Sequence, residues 1–329
     1  MNMKSRIIEA LKTHSDTFLS GEELSQKLGV SRTAVWKVIK QLKEEGYQIE
    51  SVSRKGYRLI QEGDSLNAVA LGVELKGSTL IQKIEHYDSL DSTNTLAKNK
   101  ASEGAAEGTL IIADEQLKGR GRLGREWTSP KGTGIWMSLV LRPDIEPIHA
   151  AKMTQIAAAA MNESIIRTTG LDAGIKWPND IIINKKKICG ILTEMSAELN
   201  TVNYIVVGIG VNVNVESFPE EIEDKASSLK IESGNTIRRQ DVVVEFVKQF
   251  ERFYKAYIDE GDLHTTLDYC RNNSVTLGQK VRIIHKNETQ FGEAIDLNED
   301  GELIVKFENG DIKPVFYGEV SVRGLTDYI

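Results

Sequence analysis

Ser20-Gly-Glu-Glu-Leu-Ser-Gln-Lys-Leu-Gly-Val-Ser-Arg32 decides how the chain begins to fold. Ser20 followed three places later by Glu23 is a capping box: the hydroxyl accepts from a free amide of the first turn, and the carboxylate reaches back to the Ser20 amide. Leu24 and Leu28 supply an apolar stripe, and Gly29 can take the left-handed conformation that ends a helix. Ser31 caps the next helix, expected over 32–45 with Val35, Ile39 and Leu42 on its buried side. Upstream, Ser5–Lys12 reads as a short helix with Ile7, Ile8 and Leu11 on one face. Downstream, Tyr47–Val52 alternates as a strand, Ser53–Gly56 turns, and Tyr57–Leu59 returns. Short helices closed by such a hairpin predict a winged helix-turn-helix over residues 1–62.

Ser31, Arg32, Thr33, Trp36 and Lys37 lie early on the second helix of the motif, where side chains can reach base edges. Arg54 and Lys55 sit at the tip of the wing, suited to a phosphate or minor-groove contact. Winged helices also serve as protein–protein modules, but here the basic residues fall on the surfaces that would touch DNA. Residues 1–65 carry a net charge of +2, and the remaining 264 carry −9. A basic head on an acidic body suggests that the head alone meets phosphate. One head makes few base contacts, so a dimer over two half-sites is expected, built by the rest of the chain. The polar stretch Gln61–Leu66 reads as the linker.

The whole chain has 329 residues, 40% hydrophobic and 27% charged, with a net charge of −7. That profile excludes a disordered chain, a collagen-like repeat and a disulfide scaffold. Cys189 and Cys270 match no metal or redox spacing. No apolar run reaches the ~18 residues needed to span a bilayer, and no secretory h-region follows Lys4 and Arg6. The expectation is a cytoplasmic protein that does not enter membranes.

Apolar strands are expected at Thr109–Ala113, Gly134–Leu141, Ile181–Ile183, Ile188–Met195 and Tyr204–Val213, and helices at Ser92–Lys100, Ile148–Thr169 and Asp241–Glu260. The last two strands, joined by a polar turn, read as an antiparallel hairpin. A central α+β domain with a mixed sheet over 66–270 therefore fits better than a doubly wound one. There is no P-loop, no dinucleotide fingerprint at Gly208-Ile-Gly210, no H-E-x-x-H and no G-x-S-x-G. From Val275 to Gly324 short strands alternate with turns at His285–Glu288, Asn298–Gly301 and Glu308–Asp311. These predict a small SH3-like β-barrel over 273–329.

Gly119-Arg-Gly-Arg-Leu-Gly-Arg125, followed by Glu126-Trp127, lies between two strands, where a structureless loop tends to be functional. Its glycines let backbone amides approach a ligand as an anion-binding nest. Arg120, Arg122 and Arg125 add bidentate donors matched to carboxylate or phosphate. Trp127 offers a flat face for a base. In Gly174-Ile-Lys-Trp-Pro-Asn-Asp-Ile181, Lys176 ends a strand and Trp177-Pro178 stiffens the turn beyond it, making a fixed cation. Asn179 and Asp180 can bond a sugar, position the backbone or coordinate Mg²⁺. Asp91-Ser-Thr-Asn94 and Gly208-Ile-Gly-Val-Asn212 sit near strand ends, where they serve equally as caps, turns or site residues.

With Lys187-Ile-Cys-Gly-Ile-Leu-Thr-Glu194 added, these segments resemble the bacterial bifunctional biotin–protein ligases and biotin-operon repressors over essentially the whole chain. The Gly/Arg loop paired with Lys-Trp-Pro-Asn-Asp is what makes the resemblance specific. It implies two half-reactions: biotin and ATP give biotinyl-5′-adenylate and pyrophosphate, and a lysine of the biotin carboxyl carrier protein of acetyl-CoA carboxylase then takes the biotinyl group. By the same resemblance, Ser92, Thr93, Asn94 and Gln116 hold biotin while Arg120, Gly121 and Arg122 close over it. Lys176 stands between the biotin carboxylate and the phosphate, so Lys176 and Arg122 are the residues of the chemistry. Arg122, Arg125, Trp127, Asn179 and Asn212 serve the adenylate. Mg²⁺ rides mainly on the ATP phosphates, with Asp180 as its one protein candidate.

Position 123 is Leu where the best-known form of the loop carries Arg, which bears on adenylate retention and on any coupling of this loop to dimerisation. The resemblance further implies that unused adenylate promotes a homodimer on a palindromic operator. A biotin-sensing regulator without catalysis, and a ligase for another acyl cofactor such as lipoate, are the alternatives. No counterpart of the Gly-rich lipoate motif is found.

Overall fold

The computed structural model describes residues 3–14, 16–44, 46–61, 63–285, 288–316 and 320–324. Glu45 of the expected second helix, Glu62 of the expected linker, and residues 286–287, 317–319 and 325–329 of the expected barrel lie outside them. The chain divides into two compact units, Met1–Gly77 with Arg238–Gln240, and Ser78–Ile237 with Asp241–Ile329. No helix among the described residues is long and apolar enough to cross a membrane.

The first unit holds α1 (Met3–Thr13), α2 (Gly21–Leu28), α3 (Arg32–Glu44), the hairpin β1 (Gln48–Val52) and β2 (Gly56–Gln61), and α4 (Ala68–Glu74). The capping box is formed: Ser20 Oγ accepts from the Glu23 amide at 3.0 Å, and the Ser20 amide donates to Glu23 Oε2 at 2.7 Å. Gly29 ends α2 in the left-handed conformation (φ 67°). Ile7, Ile8 and Leu11 of α1, Leu24 of α2, and Val35, Ile39 and Leu42 of α3 close one core with Ile49 and Leu59 of the hairpin. Full burial of each such side chain is worth about 1.5–3 kcal/mol, so the wing is held to the helices by packing. The expected linker is packed rather than loose: Leu66 is buried, and Asp64 Oδ2 accepts from Arg239 Nε at 2.7 Å.

The second unit is built on β3 (Lys83–Tyr87), α5 (Thr93–Ser102), β4 (Thr109–Ala113), β5 (Gly134–Leu141), α6 (Lys152–Thr169), β6 (Gly174–Lys176), β7 (Asp180–Ile183), β8 (Lys186–Glu198) and β9 (Thr201–Asn212). The helices α7 (Leu229–Ser233), α8 (Arg239–Glu260) and α9 (His264–Asn272) follow, α8 beginning with residues that belong to the first unit. Seven strands form one mixed sheet in the order β3-β4-β5-β9-β8-β7-β6, parallel between β3 and β4 and antiparallel elsewhere. The central strands β4 and β5 are buried at every residue, which is why they read as unbroken apolar runs.

Five further strands complete this unit: β10 (Lys280–His285), β11 (Glu288–Leu297), β12 (Leu303–Phe307), β13 (Ile312–Val315) and β14 (Val320–Gly324). They pair antiparallel in the order β13-β12-β11-β10-β14. The turns at Asn298–Gly301 and Glu308–Asp311 fall where the sequence placed them, but the outer strands β13 and β14 are not paired to each other among the described residues. The expected barrel is therefore an open sheet. Closure needs a continuous ladder round the ring, and periodicity along the chain carries no information about which end strands meet.

Candidate active site

Strand ends and loops of the second unit surround a cavity of about 1100 Å³. Its wall includes the sequence-chosen Ser92, Thr93, Asn94 and Gln116, the loop residues Arg120, Gly121, Arg122, Arg125 and Trp127, and Lys176, Asn179, Asp180 and Asn212. Segments separated by up to about 120 positions in the chain thus share one space. Among the lining residues nine are Lys or Arg and three are Asp or Glu, so the cavity attracts anions.

One end is polar and uncharged. Ser92 opens α5 without capping it, leaving its hydroxyl uncommitted to the helix. The Thr93 amide and hydroxyl both donate to Gln116 Oε1, at 2.9 and 3.0 Å, and Gln116 Nε2 donates to Ser129 Oγ at 2.9 Å. Asn94 Nδ2 donates to Glu194 Oε2 at 2.9 Å and to the Leu192 carbonyl at 3.1 Å. Ser138 Oγ, fully buried, lies 2.6 Å from Asn94 Oδ1 and 2.8 Å from Thr93 Oγ1. A fully bonded network of this kind holds its members in single rotamers. Ser138 and Glu194 were given no role by the sequence: Ser138 is one hydroxyl inside an apolar strand, and only its position opposite α5 marks it.

Asn94 can lie against β9 because position 208 is glycine. A Cβ there would stand 2.0 Å from Asn94 Oδ1. Gly208→Ala is expected to destabilise the fold by about 1–3 kcal/mol through overpacking and to displace the Asn94–Ser138 pair; a urea unfolding midpoint unchanged from the parent would refute it.

The other end is cationic and built from two loops. Lys176, 5% exposed, ends β6, and a cis peptide joins Trp177 to Pro178. The Trp177 amide donates to Thr276 Oγ1 at 3.0 Å and its indole to the Gly301 carbonyl at 2.9 Å, so the loop after Lys176 is fastened to the region of the C-terminal sheet. The Gly/Arg loop faces it. Arg122 Nη1 donates to Asn179 Oδ1 at 2.8 Å, and Asn179 Nδ2 in turn donates to the Ile191 carbonyl at 2.9 Å. The loop is closed on itself by the Gly121 amide donating to the Arg125 carbonyl at 2.7 Å. Leu123 stands in the left-handed region (φ 57°) and is 54% exposed, while Arg120 and Arg125 are exposed.

Trp127 lies on the bare backbone of β9: a Cβ at Gly210 would meet its Nε1 at 2.5 Å. The Lys187 ammonium sits 5.2 Å from the ring centre and 2.6 Å from Asp180 Oδ1. Lys187 is a third residue to which the sequence assigned no role, although it opens one of the quoted segments. Asn212 Nδ2 donates to the Ser227 carbonyl at 3.1 Å. Cys189, behind this wall, is fully buried, and burial pushes its thiol far above the ordinary range. It is no nucleophile.

The expected DNA-contacting residues lie in the first unit. Ser31, Arg32, Thr33, Trp36 and Lys37 are all exposed on one side of α3, as are Arg54 and Lys55 at the hairpin turn. Ser31 Oγ also accepts from the Ala34 amide at 3.2 Å, so it works as the cap of α3.

Comparison with known proteins gives matches to each part of the chain. The "Biotin/lipoate A/B protein ligase family" matches residues 87–212, an "HTH domain" residues 4–58, and the "Biotin protein ligase C terminal domain" residues 276–323. The "Bifunctional ligase/repressor BirA" of Bacillus subtilis (strain 168) is 39% identical over 322 residues, covering 97% of this chain and 98% of the relative. The protein of the same name from Escherichia coli (strain K12) is 29% identical over 307 residues, 93% of each. The solved biotin protein ligase from Aquifex aeolicus in complex with biotin and ATP is similar with a TM-score of 0.65 and 28% identity, over 74% of this chain and all of that one.

Proposed function

Because the chain belongs to the family of bifunctional ligase/repressors, we infer that it attaches biotin to a carrier protein at the expense of ATP and acts as a repressor through its winged head. The observation that carries the reading is the bond from Arg122 to Asn179, which sets the Gly/Arg loop and the Lys176 loop on two sides of one cation-rich cavity.

Biotin has a neutral urea ring and a carboxylate tail, and the cavity has a neutral and a cationic end to match. Ser92, Thr93, Asn94 and Gln116 offer donors and acceptors to the ring, while Arg120, Gly121, Arg122 and Lys176 face the tail. In the first half-reaction a carboxylate oxygen forms a bond to the α-phosphorus of ATP, and the bond from that phosphorus to the β-phosphate bridging oxygen breaks. Both reactants are anions, so fixed cations at the meeting point offset their repulsion and the charge of the transition state. Lys176 and Arg122 hold that place. Trp127 is the stacking surface for adenine, with Arg125, Asn179 and Asn212 around the nucleotide. In the second half-reaction a lysine amine of the biotin carboxyl carrier protein attacks the acyl carbon, loses a proton, and AMP leaves. Arg122, by closing the loop, keeps water from the mixed anhydride.

Mg²⁺ would neutralise phosphate charge during the first step. Asp180 already carries the Lys187 ammonium at 2.6 Å, which disfavours a second cation there. The ion therefore arrives with ATP rather than on a protein site. We divide the labour as 1–62 for DNA, 66–270 for ligation and 273–329 for the C-terminal sheet, in a cytoplasmic protein that dimerises on its operator when biotinyl-5′-adenylate is bound. Such coupling requires the adenylate to bind the dimer more tightly than the monomer; sedimentation with and without biotin plus ATP measures it.

The test of the function is a mixture of the protein, biotin, MgATP and a biotin carboxyl carrier domain. A mass gain of one biotinyl group on a single lysine is expected, and lipoate should neither replace biotin nor compete with it in pyrophosphate release. No mass gain with biotin refutes the reading. For the head, replacing Arg54 and Lys55 together by Ala should weaken operator binding and lower the slope of log affinity against log salt by about 1 for each phosphate the pair no longer neutralises. An unchanged slope in a gel-shift salt series removes the wing tip from the interface.

A further inference from the structure

Away from the cavity, the parallel pair β3–β4 ends in a group of residues that the ligase reading does not use. The register sets His86 opposite Ile112 and Tyr87 opposite Ala113, and the bridge from Leu90 to Gln116 keeps the same offset. Asp88 therefore comes beside Asp114, and His86, two residues earlier, shares the face of Asp88. One ring nitrogen of His86 and one carboxylate oxygen from each aspartate lie within 4.8 Å of one another.

The separation of His86 from Asp114 has a chemical meaning. His86 Nε2 stands 3.4 Å from Asp114 Oδ1, beyond the usual 2.7–3.2 Å range of an N–H···O hydrogen bond. That nitrogen is nonetheless buried and has no hydrogen-bond partner. A polar atom left so costs free energy unless something else engages it. A tetrahedral ion with bonds of about 2.0–2.1 Å holds its ligand atoms roughly 3.3–3.4 Å apart; the His86–Asp114 pair has that spacing, and all three ligand atoms lie within 4.8 Å of one another. Asp88 is exposed and gives a path of entry, while His86 and Asp114 are half-buried and fix the geometry.

We propose that His86, Asp88 and Asp114 form a site for a divalent ion of the zinc class, with water in the fourth position. An imidazole ligand among carboxylates selects Zn²⁺ or Co²⁺ over Mg²⁺. The ion would join the ends of β3 and β4 and fix the backbone two residues before Gln116, without touching the catalytic residues.

The test uses the full chain, stripped with chelator and titrated with ZnCl₂ by calorimetry, and with CoCl₂ by visible absorption. One equivalent of Zn²⁺ is expected to bind, and Co²⁺ should give the intense d–d bands of a tetrahedral centre. His86→Ala and the surface change Asp88→Asn should each weaken Zn²⁺ binding by roughly a hundredfold or more, beyond what loss of an outer-shell partner costs. Asp88→Asn should leave the thermal midpoint of the metal-free protein unaltered, so that lost binding is not lost folding. Absence of stoichiometric binding by the parent overturns the proposal, and so does undiminished affinity in both variants. Either result would mean that His86 and Asp114 form only an ion pair.

Discussion

Lys176→Ala is expected to slow formation of biotinyl-adenylate by roughly 10²–10³-fold, the effect of removing one preorganised electrostatic group from a reacting centre. Pyrophosphate release under saturating biotin and MgATP measures it. The size follows from placement. At 5% exposure the ammonium is screened little by water, and the backbone that carries it is tied at Trp177 to Thr276. A charge held in place before the substrates arrive costs no reorganisation when they react. Lys176→Arg should not restore the rate, because a planar fork cannot take the position of a compact ammonium in a packed wall. Biotin binding should change far less than the rate if, as proposed, the ring is held by Thr93, Asn94 and Gln116. A turnover within a few-fold of the parent would remove Lys176 from the chemistry.

Arg122→Gly is expected to shorten the lifetime of bound biotinyl-adenylate by roughly 10–100-fold. The change removes a hydrogen bond from a charged donor, worth about 1.5–3 kcal/mol. Arg122 Nη1 to Asn179 Oδ1, at 2.8 Å, is the clasp between the two loops. Without it the loop has glycines at 119, 121, 122 and 124, and its closed form loses weight against open ones. Adenylate would then escape and acylate lysines without regard to partner. The check is a chase of labelled adenylate from the protein, together with labelling of an unrelated lysine-rich protein in the same tube. Retention equal to that of the parent would show that Arg122 is not the clasp.

The head was legible because its signals are local. A capping box, a left-handed glycine and a hairpin turn each act within four residues, and all formed as read. The buried strands β4 and β5 were legible because a strand covered on both faces leaves an unbroken apolar run. Strand β3 escaped notice: it is a five-residue edge strand reading Lys-Ile-Glu-His-Tyr, too short for a period to appear, whereas the three-residue β6 was marked only by its end at Lys176. The loops that line the cavity were visible as composition, since glycines alternating with arginines have few structural uses. Their meeting across the cavity was visible only by resemblance. Ser138 and Lys187 stayed hidden because their importance lies in what they face, which depends on the register of β5 with β9 and of β7 with β8.

The indole of Trp177 reaches across 124 positions of chain to the carbonyl of Gly301. A hairpin beyond α9 is thus the abutment for an ammonium group placed more than a hundred residues before it. Any attempt to trim the protein to a minimal catalyst by stopping after α9 would leave that tryptophan without its acceptor and let the lysine beside it drift. The C-terminal sheet region thus works as an alignment jig for the strand end that carries Lys176.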